Sequence, residues 1–525
     1  MACRSLPLRS ASGSKSSSRT IFRPNRAQMI RPARPAIREK RMYLGIDLGT
    51  SGVKAMLIGD DQTVVGSASS KEVTTTRLHD GWSEQDPADW IRATEEAIAG
   101  LRSAHPDAFS AVRGIGLSGH MHGATLLDAD DKVLRPCIMW NDTRSYREAA
   151  ALDADPRFRK ITGNIVFPGF TAPKLAWVKN NEPDIFAKVR WVLLPKDYLR
   201  LWLAGEHLSE MSDSAGTSWL DTGARKWSTE LLAATGLDES RMPGLVEGTA
   251  PAGTLRPELA AKWGLREGIV IAGGAGDNAA SACGMGTVRE GTAFVSLGTS
   301  GVLFAANARY LPNPESAVHA FCHALPDTWH QMGVILSATD ALNWHARVTG
   351  ASAADLTKEL GDALKAPSHV TFLPYLSGER TPHNDATIRG AFLGLGHEAD
   401  RTVLTQAVLE GVAFAIRDSL EALKSAGTEL TRVTAIGGGS RSRYWLKSIA
   451  TALGLPVDLP ADGDFGAAFG AARLGLIAAT GANPTDILTP PATAETIDPE
   501  VGLSAAYEDA YQRYRRFYPA IRAAY

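Results

Sequence analysis

A run of six residues, Leu-Gly-Thr-Ser-Gly-Val, occurs twice in this chain, at 48–53 and again at 297–302. In each copy an apolar stretch precedes the run and a second one follows it, a pattern that predicts two strands joined by a glycine turn. The copies lie too far apart for a solenoid repeat. The repeat therefore predicts two domains, each of which uses the same β-hairpin.

The length of the chain supports this division, because 525 residues exceed what a single ordinary core holds. We predict a first domain at 42–286 and a second at 287–525, each with a mixed sheet flanked by helices. Residues 1–41 carry eleven Lys or Arg against Glu39, and we interpret them as a disordered basic tail. The tail resembles a transit peptide, but the preferred interpretation is a mis-called start, with Met29 or Met42 as the true first residue.

Composition excludes several classes of function. The whole chain carries a net charge of −2, so the part after the +10 tail is mildly acidic, unlike a nucleic-acid binder. No apolar run approaches the roughly 20 residues of a membrane helix. The four cysteines are scattered, which favours a reducing compartment, and we expect a cytoplasmic protein without nucleic-acid or membrane partners. The sequence is compatible with a homodimer and does not require one.

The two glycine turns are typical of phosphate binding. Glycines let the backbone approach a ligand, and exposed N–H groups with Thr and Ser hydroxyls can hold phosphate oxygens. The chain contains no Gly-Lys dipeptide and hence no P-loop, so the hairpins are the expected phosphate site. Lys54 either reaches the same phosphates or is solvated. The candidates are Thr50, Ser51, Lys54, Gly298, Thr299 and Ser300.

Asp47 is the candidate magnesium ligand. It ends the first strand just before the first turn, where a carboxylate can hold Mg²⁺ beside phosphates. The alternative is an Asp that only forms the turn. Because Ser296 takes the matching place in the second copy, the turn does not itself require Asp.

Asp277 is the candidate general base. It follows the strand 269–272 and four small residues at 273–276, and with Asn278 it opens a helix. Catalytic groups favour such carboxyl ends of strands, and small neighbours leave room for a substrate. The alternative is a helix N-cap.

Histidines raise the question of zinc at two places, His120 with His122, and the group His319, Cys322, His323 and His330. Four-coordinate zinc needs a complete ligand set, and no obvious partner pair accompanies the first two. We do not expect a zinc site.

The hairpin pair, together with the glycine loop 437–439 after the strand 433–436, resembles the actin-like ATPase superfold. Within that superfold the chain, from Met42 nearly to its end, resembles the FGGY carbohydrate kinase family. The resemblance implies an α/β protein with two actin-like (ribonuclease H-like) domains flanking a nucleotide cleft. It also implies ATP contacts at Gly437, Gly438, Gly439 and Ser442, Asp277 as proton acceptor, and sugar contacts from Asp277 and Asn278.

The segment 121–125 resembles the xylulose kinases of this family, which implies that Met121 and His122 meet the sugar. The expected reaction is ATP- and Mg²⁺-dependent phosphorylation of D-xylulose to D-xylulose 5-phosphate. The alternatives are a kinase for ribulose, gluconate or glycerol, and a non-catalytic ATP-binding module. Further family-like segments lie at 140–144, 170–177, 373–382 and 390–395. Should Asp277 not be the base, Asp142 is the next candidate.

Overall fold

The computed structural model describes residues 40–461 and 463–525. The interpretation of the N-terminal tail lies almost wholly outside the described residues. The first strand begins at Met42, where the sequence predicts the start of regular structure.

The chain alternates strands and helices through both halves. The strands are β1 Met42–Gly49, β2 Gly52–Gly59, β3 Val64–Ser69, β4 Glu84–Gln85, β5 Val112–Gly119, β6 Thr125–Leu127, β7 Cys137–Ile138, β8 Trp191–Leu193, β9 Leu208–Glu210, β10 Leu220–Asp221, β11 Lys226–Trp227, β12 Gly244–Val246, β13 Pro251–Thr254, β14 Val270–Ala272, β15 Ala275–Gly276, β16 Ala293–Leu297, β17 Gly301–Asn307, β18 His319–Cys322, β19 Trp329–Ile335, β20 Thr371–Leu373, β21 Ala391–Leu393, β22 Val433–Ile436, β23 Val457–Pro460 and β24 Thr493–Ile497.

The helices are α1 Pro87–Ala104, α2 Pro106–Ser110, α3 Tyr146–Asp153, α4 Pro156–Thr162, α5 Thr171–Asn181, α6 Pro183–Lys188, α7 Pro195–Ala204, α8 Met211–Ser214, α9 Thr229–Ala234, α10 Pro257–Trp263, α11 Asp277–Met285, α12 Thr339–Thr349, α13 Ala353–Leu360, α14 Arg401–Ser425, α15 Arg443–Leu453, α16 Ala467–Thr480, α17 Pro484–Ile487 and α18 Ser504–Arg522. Short 3₁₀ turns add Ala215–Thr217, Glu239–Arg241, Pro314–Ser316, Gly438–Arg441 and Val501–Leu503.

Two seven-stranded sheets share one topology. The first has the order β13-β14-β5-β1-β2-β3, with β15 also paired to β5. The second has the order β18-β19-β17-β16-β22-β23-β24. In each sheet an antiparallel hairpin, β1–β2 or β16–β17, is followed by two parallel strands and then an antiparallel edge strand. The predicted fold class, two related α/β domains, is confirmed; the boundary at 286/287 stays a prediction.

The repeated sequence forms a hairpin in both sheets, and the pairing register differs by one residue. In the first, Leu48 pairs with Val53 and Gly49 with Gly52; in the second, Leu297 pairs with Gly301. Nearly all residues of β1 and β16 are buried, as expected for strands whose sheet is covered on both faces. The turn residues lie at the protein surface, at one end of each sheet.

Helix α16 lies directly against the first sheet, although it comes late in the chain. A Cβ on Gly45 would lie 1.9 Å from the carbonyl oxygen of Ala468, and one on Gly116 would lie 1.8 Å from that of Ala471. Only glycine allows so close an approach of a helix to a strand backbone. The sequence element beyond the predicted boundary therefore covers the sheet that carries Asp47.

Among the helices of residues 40–461 and 463–525, none combines the length and apolarity of a membrane-crossing segment.

Candidate active site

Asp47 and Asp277 lie at the same end of the first sheet. Strands β1 and β15 both pair in parallel with β5, and Ser118 of β5 is the register partner of Asp47 on one side and of Ala275 on the other. The carboxyl ends of these strands thus bring together two carboxylates that are far apart in the sequence. This is the edge where open α/β sheets place their ligands.

The Asp277 side chain uses one oxygen for structure and leaves the other without a hydrogen bond among the described residues. Its Oδ1 accepts from the backbone N of Asn278 at 2.7 Å and from the Asn278 amide at 3.0 Å. The helix N-cap is Gly276, so Asp277 does not serve as the cap. Burial, and after it the charge of Asp47, raises the pKa of the Asp277 carboxyl to about 6. A carboxylate with this pKa is ionised at neutral pH and can still accept a proton.

Asp47 is partly buried, and burial raises the pKa of its carboxyl while the charge of Lys54 opposes that shift. Lys54 does not lie free beside the turn: its ammonium is ion-paired with Asp464, in the segment before α16. The negative charge of Asp464 also acts on Asp47. Three carboxylates and one lysine therefore neighbour each other around the first hairpin.

The turns of both hairpins are accessible. Ser51, Thr299 and Ser300 are exposed. The first turn is anchored from behind, since its Thr50 carbonyl accepts from the Gln85 amide at 2.8 Å and its Thr50 hydroxyl accepts from the indole of Trp140 at 2.9 Å. Exposed N–H groups and hydroxyls on a fixed turn can bind phosphate oxygens.

The glycine loop 437–439 lies against the second hairpin. Gly437 has a φ of 89°, and a Cβ there would lie 2.7 Å from the Leu297 carbonyl oxygen. Both the positive φ and the close contact therefore require glycine. Thr339, at the start of α12, donates its hydroxyl to the Gly298 carbonyl at 2.7 Å.

An open cavity of about 590 Å³ adjoins this loop, a volume that suits a nucleoside. Ser442 lines it, while its hydroxyl caps α15 by accepting from Trp445 N at 3.3 Å. The cavity is lined by Thr339, Leu342, Asn343, Ala353, Ala354, Thr357, Lys358, Gly361, Asp362, Gly438, Gly439, Arg441, Ser442, Arg443, Tyr444 and Trp445.

Met121 and His122 lie next to the segment that carries Asp277. A Cβ on Gly276 would lie 2.9 Å from Met121 Cγ, and one on Gly216 would lie 2.4 Å from His122 Cε1, so both neighbours must be small. The His122 ring stacks on Phe170 at a centroid distance of 4.5 Å, and burial lowers the pKa of the imidazole to about 3. Met121 thus lies beside the residue that precedes Asp277, and His122 lies beside Gly216.

The other histidine of the pair turns away. His120 is buried with its ring against Trp90 at 5.6 Å, and its two ring nitrogens have no hydrogen-bond partner within 40–461 and 463–525. Within the described residues no group of three or more His, Cys, Asp or Glu side chains is arranged to hold a metal ion.

Asp142 is unsuited to the role of reserve base. It is fully buried, and Arg144 binds both of its oxygens, at 2.9 Å and 2.7 Å. Each oxygen also accepts from a backbone N–H, Oδ1 from Arg144 at 2.9 Å and Oδ2 from Ser83 at 2.6 Å, so its lone pairs are occupied and the ion pair is structural.

Sequence reasoning missed three neighbours of the site. Asp464 and Trp140 reach it by tertiary contact with β2 and the first turn, which no local pattern reveals. Trp140 and Lys174 belong to the family-like segments 140–144 and 170–177, to which the sequence assigns no individual contacts, yet the Lys174 ammonium donates to the carbonyl of His122. A lysine in an apolar stretch at a helix start was the available signal.

Family models match most of the chain. The FGGY family of carbohydrate kinases, N-terminal domain, matches residues 42–284. The FGGY family of carbohydrate kinases, C-terminal domain, matches residues 293–479.

Individual relatives agree with these matches. A xylulose kinase from Escherichia coli (strain K12) is 48% identical over 480 residues, covering 91% of this chain and 98% of its own length. A xylulose kinase from Klebsiella pneumoniae is 50% identical over 439 residues, covering 83% and 90%. The crystal structure described as a xyloylose kinase from Brucella ovis is 72% identical with a TM-score of 0.91, covering 92% of this chain and 100% of that one.

Proposed function

The chain belongs to the FGGY family of carbohydrate kinases, and on that premise we propose that it transfers the γ-phosphoryl group of ATP to a hydroxyl of D-xylulose, giving D-xylulose 5-phosphate. The xylulose kinases named above, which are similar over most of their lengths, support the choice of sugar. The pairing of Met121 with His122 beside Asp277 supports a sugar site on the first sheet.

The observation that carries the proposal is the state of Asp277. One carboxylate oxygen is fixed by Asn278, the other accepts no hydrogen bond from the residues that the structure describes, and the pKa lies near 6. This free oxygen accepts the proton of the sugar hydroxyl as the new oxygen–phosphorus bond forms. The bond between the γ-phosphorus and the bridging oxygen breaks, and ADP leaves with that oxygen.

Magnesium fits the residues present. Asp47 and Asp277 are carboxylates close enough for the charge of one to raise the pKa of the other, an arrangement that a cation would stabilise. Hard oxygen ligands and few protein contacts are what Mg²⁺ prefers. Asp47 would hold the ion, which when bound neutralises charge on the phosphates. Asp277 is proposed as the general base, not as a magnesium ligand.

In the proposed function the two hairpins and the glycine loop bind the nucleotide. Adenosine would occupy the cavity beside Gly438, Gly439 and Ser442, and the phosphates would lie between Thr50–Ser51 and Gly298–Ser300. The start of α12, bonded to the second hairpin, adds backbone dipoles aimed at the same region. The ATP contacts proposed from the sequence would thus come from the two hairpin turns and the glycine loop.

The test is a coupled assay of ADP release with D-xylulose, D-ribulose, gluconate and glycerol as acceptors. The proposal expects D-xylulose to give the highest kcat/KM, and mass spectrometry to find one added phosphate on the sugar. A higher kcat/KM with another acceptor would assign the chain to a different sugar. No turnover with any acceptor, together with ATP binding, would favour the non-catalytic module.

Location and assembly stay proposals. Cys137, Cys283 and Cys322 are buried free thiols, which supports a reducing, cytoplasmic compartment. The assembly proposed from the sequence is a homodimer.

A further inference from the structure

A buried lysine bonded to two backbone carbonyls lies next to His122. Lys174, in the first turn of α5, has an exposed fraction of 0%. Its Nζ donates to the carbonyl oxygens of His122 and Gly169, each at 2.7 Å. In the part of the chain that the structure describes, these carbonyls are its hydrogen-bond partners.

This placement is costly for a lysine. Burial lowers the pKa of the Lys174 ammonium to about 7, which measures how unfavourable the site is for its charge. The first turn of a helix also repels a cation, because the helix dipole is positive there. A methionine of similar volume would fill the space without either cost. The lysine must therefore do something that packing does not require.

Its partner His122 is in an unusual backbone conformation. The φ of His122 is 70°, in the left-handed region that residues with a side chain rarely adopt. Such a conformation persists only where the surroundings hold it. Here the ring is held by Phe170, and the carbonyl is held by Lys174 and by the Thr171 hydroxyl at 3.1 Å. One short segment, 170–174, thus fixes both ends of the residue.

The same contacts decide which atom His122 offers to a ligand. Its Nδ1 lies 2.7 Å from the Gly216 carbonyl, which can only accept, so Nδ1 carries the hydrogen. The ring is neutral at physiological pH, and Nε2 is left with a lone pair. His122 therefore presents a hydrogen-bond acceptor, which suits a sugar hydroxyl as donor.

We propose that Lys174 is a positioning residue for the sugar: by binding the carbonyl of His122 it holds that residue in its left-handed conformation, with Nε2 turned to the substrate. In this proposal the segment 170–177, a family-like motif to which no function is assigned above, holds His122, the histidine that contacts the substrate. The inference rests on the proposed function only for the identity of the sugar.

The first test is a comparison of Lys174→Met with wild type. Loss of the buried hydrogen bonds should raise the KM for D-xylulose by about tenfold, as for 1.4 kcal/mol of binding. The KM for ATP should stay within about twofold, because the nucleotide contacts lie elsewhere. A general loss of structure would move both constants. Lys179→Met, on the exposed face of the same helix, is the matched control and should change neither.

A double-mutant cycle shows whether Lys174 acts through His122. In a His122→Ala background, Lys174→Met should raise the KM for the sugar by less than about twofold. If the two effects multiply, or if Lys174→Met leaves the sugar KM unchanged in the wild-type background, the proposal is wrong. Should Lys174→Met not fold, Thr171→Val removes one bond to the same carbonyl and should raise the sugar KM about threefold, an unchanged value being contrary.

A crystal structure of Lys174→Met separates this inference from the proposed function. We expect His122 to leave its positive φ and to lose the bond from Nδ1 to Gly216. An unchanged His122 would overturn the positioning role whichever sugar the wild type phosphorylates. If D-xylulose proves not to be the acceptor, the best acceptor of the panel replaces it in the kinetic tests.

Discussion

Asp47 and Asp277 lie one on each side of β5 at the same end of the first sheet, and the charge of Asp47 is, after burial, the second cause of the raised pKa of Asp277. In the proposed function the pair divides two tasks of phosphoryl transfer, metal binding and proton acceptance, between carboxylates in different environments. Each task can be removed separately.

Asp277→Asn keeps the shape of the side chain but removes the base. Turnover with D-xylulose should fall by about 10²–10⁴-fold, the usual contribution of a general base. ATP binding, measured by calorimetry, should survive because the hairpins are untouched. Near-normal turnover of the Asn variant would show that Asp277 is not the base.

The pH profile should report the same group. Asp277 accepts a proton only when ionised, and its pKa lies near 6, so kcat/KM for the sugar should decline as the pH falls below about 6. His122 cannot cause that decline, because its pKa lies near 3. The measurement is kcat/KM for the sugar at saturating Mg-ATP between pH 5 and 8. A flat profile through pH 6 would contradict the assignment.

Asp277→Asn should also stabilise the protein near pH 8. The folded pKa lies above the ordinary value of 3.8, so the native state binds the proton more tightly and wild type loses stability as the pH rises between 3.8 and about 6. The Asn variant escapes this loss, a gain of about 1 kcal/mol after allowance for partial exposure. Thermal unfolding at pH 8 measures it; a Tm below that of wild type would assign Asp277 a structural role.

Asp47→Ala should raise the Mg²⁺ concentration needed for half-maximal turnover by tenfold or so while leaving the fold intact, since one lost charged ligand weakens a site that has few. Ser296→Ala, at the matching place of the second hairpin, is the control, and its Mg²⁺ requirement should equal that of wild type. Equal requirements in both variants would remove Asp47 from the metal site.

Lys54→Met tests whether the lysine leaves Asp464 for the phosphates. The ion pair is partly exposed, so unfolding free energy should change by less than about 1 kcal/mol. The KM for ATP should rise by an order of magnitude or so if Lys54 binds phosphate in the complex. Asp464→Asn is the comparison: a similar rise there would mean that the ion pair itself supports the nucleotide site.

Much of this architecture could be predicted from the sequence. The predictions of the duplicated hairpin and of the strand before Asp277 are correct, because apolar stretches and glycine turns are local signals. The bonds of Trp140 to Thr50, of Asp464 to Lys54 and of Lys174 to His122 could not be predicted, because each joins segments whose proximity depends on tertiary packing. The rejection of Asp142 as base likewise needed the position of Arg144.

The close seat of α16 on the glycines of β1 and β5 bears on how the protein can be cut. A fragment that stops at residue 286 would keep Asp47, Asp277 and His122 but would expose to water the sheet face that α16 covers, including the apolar side chains of Tyr43, Met56 and Ile58. Such a face invites aggregation. The predicted first domain therefore depends on α16, and a split version of the protein would have to carry α16 with the N-terminal piece.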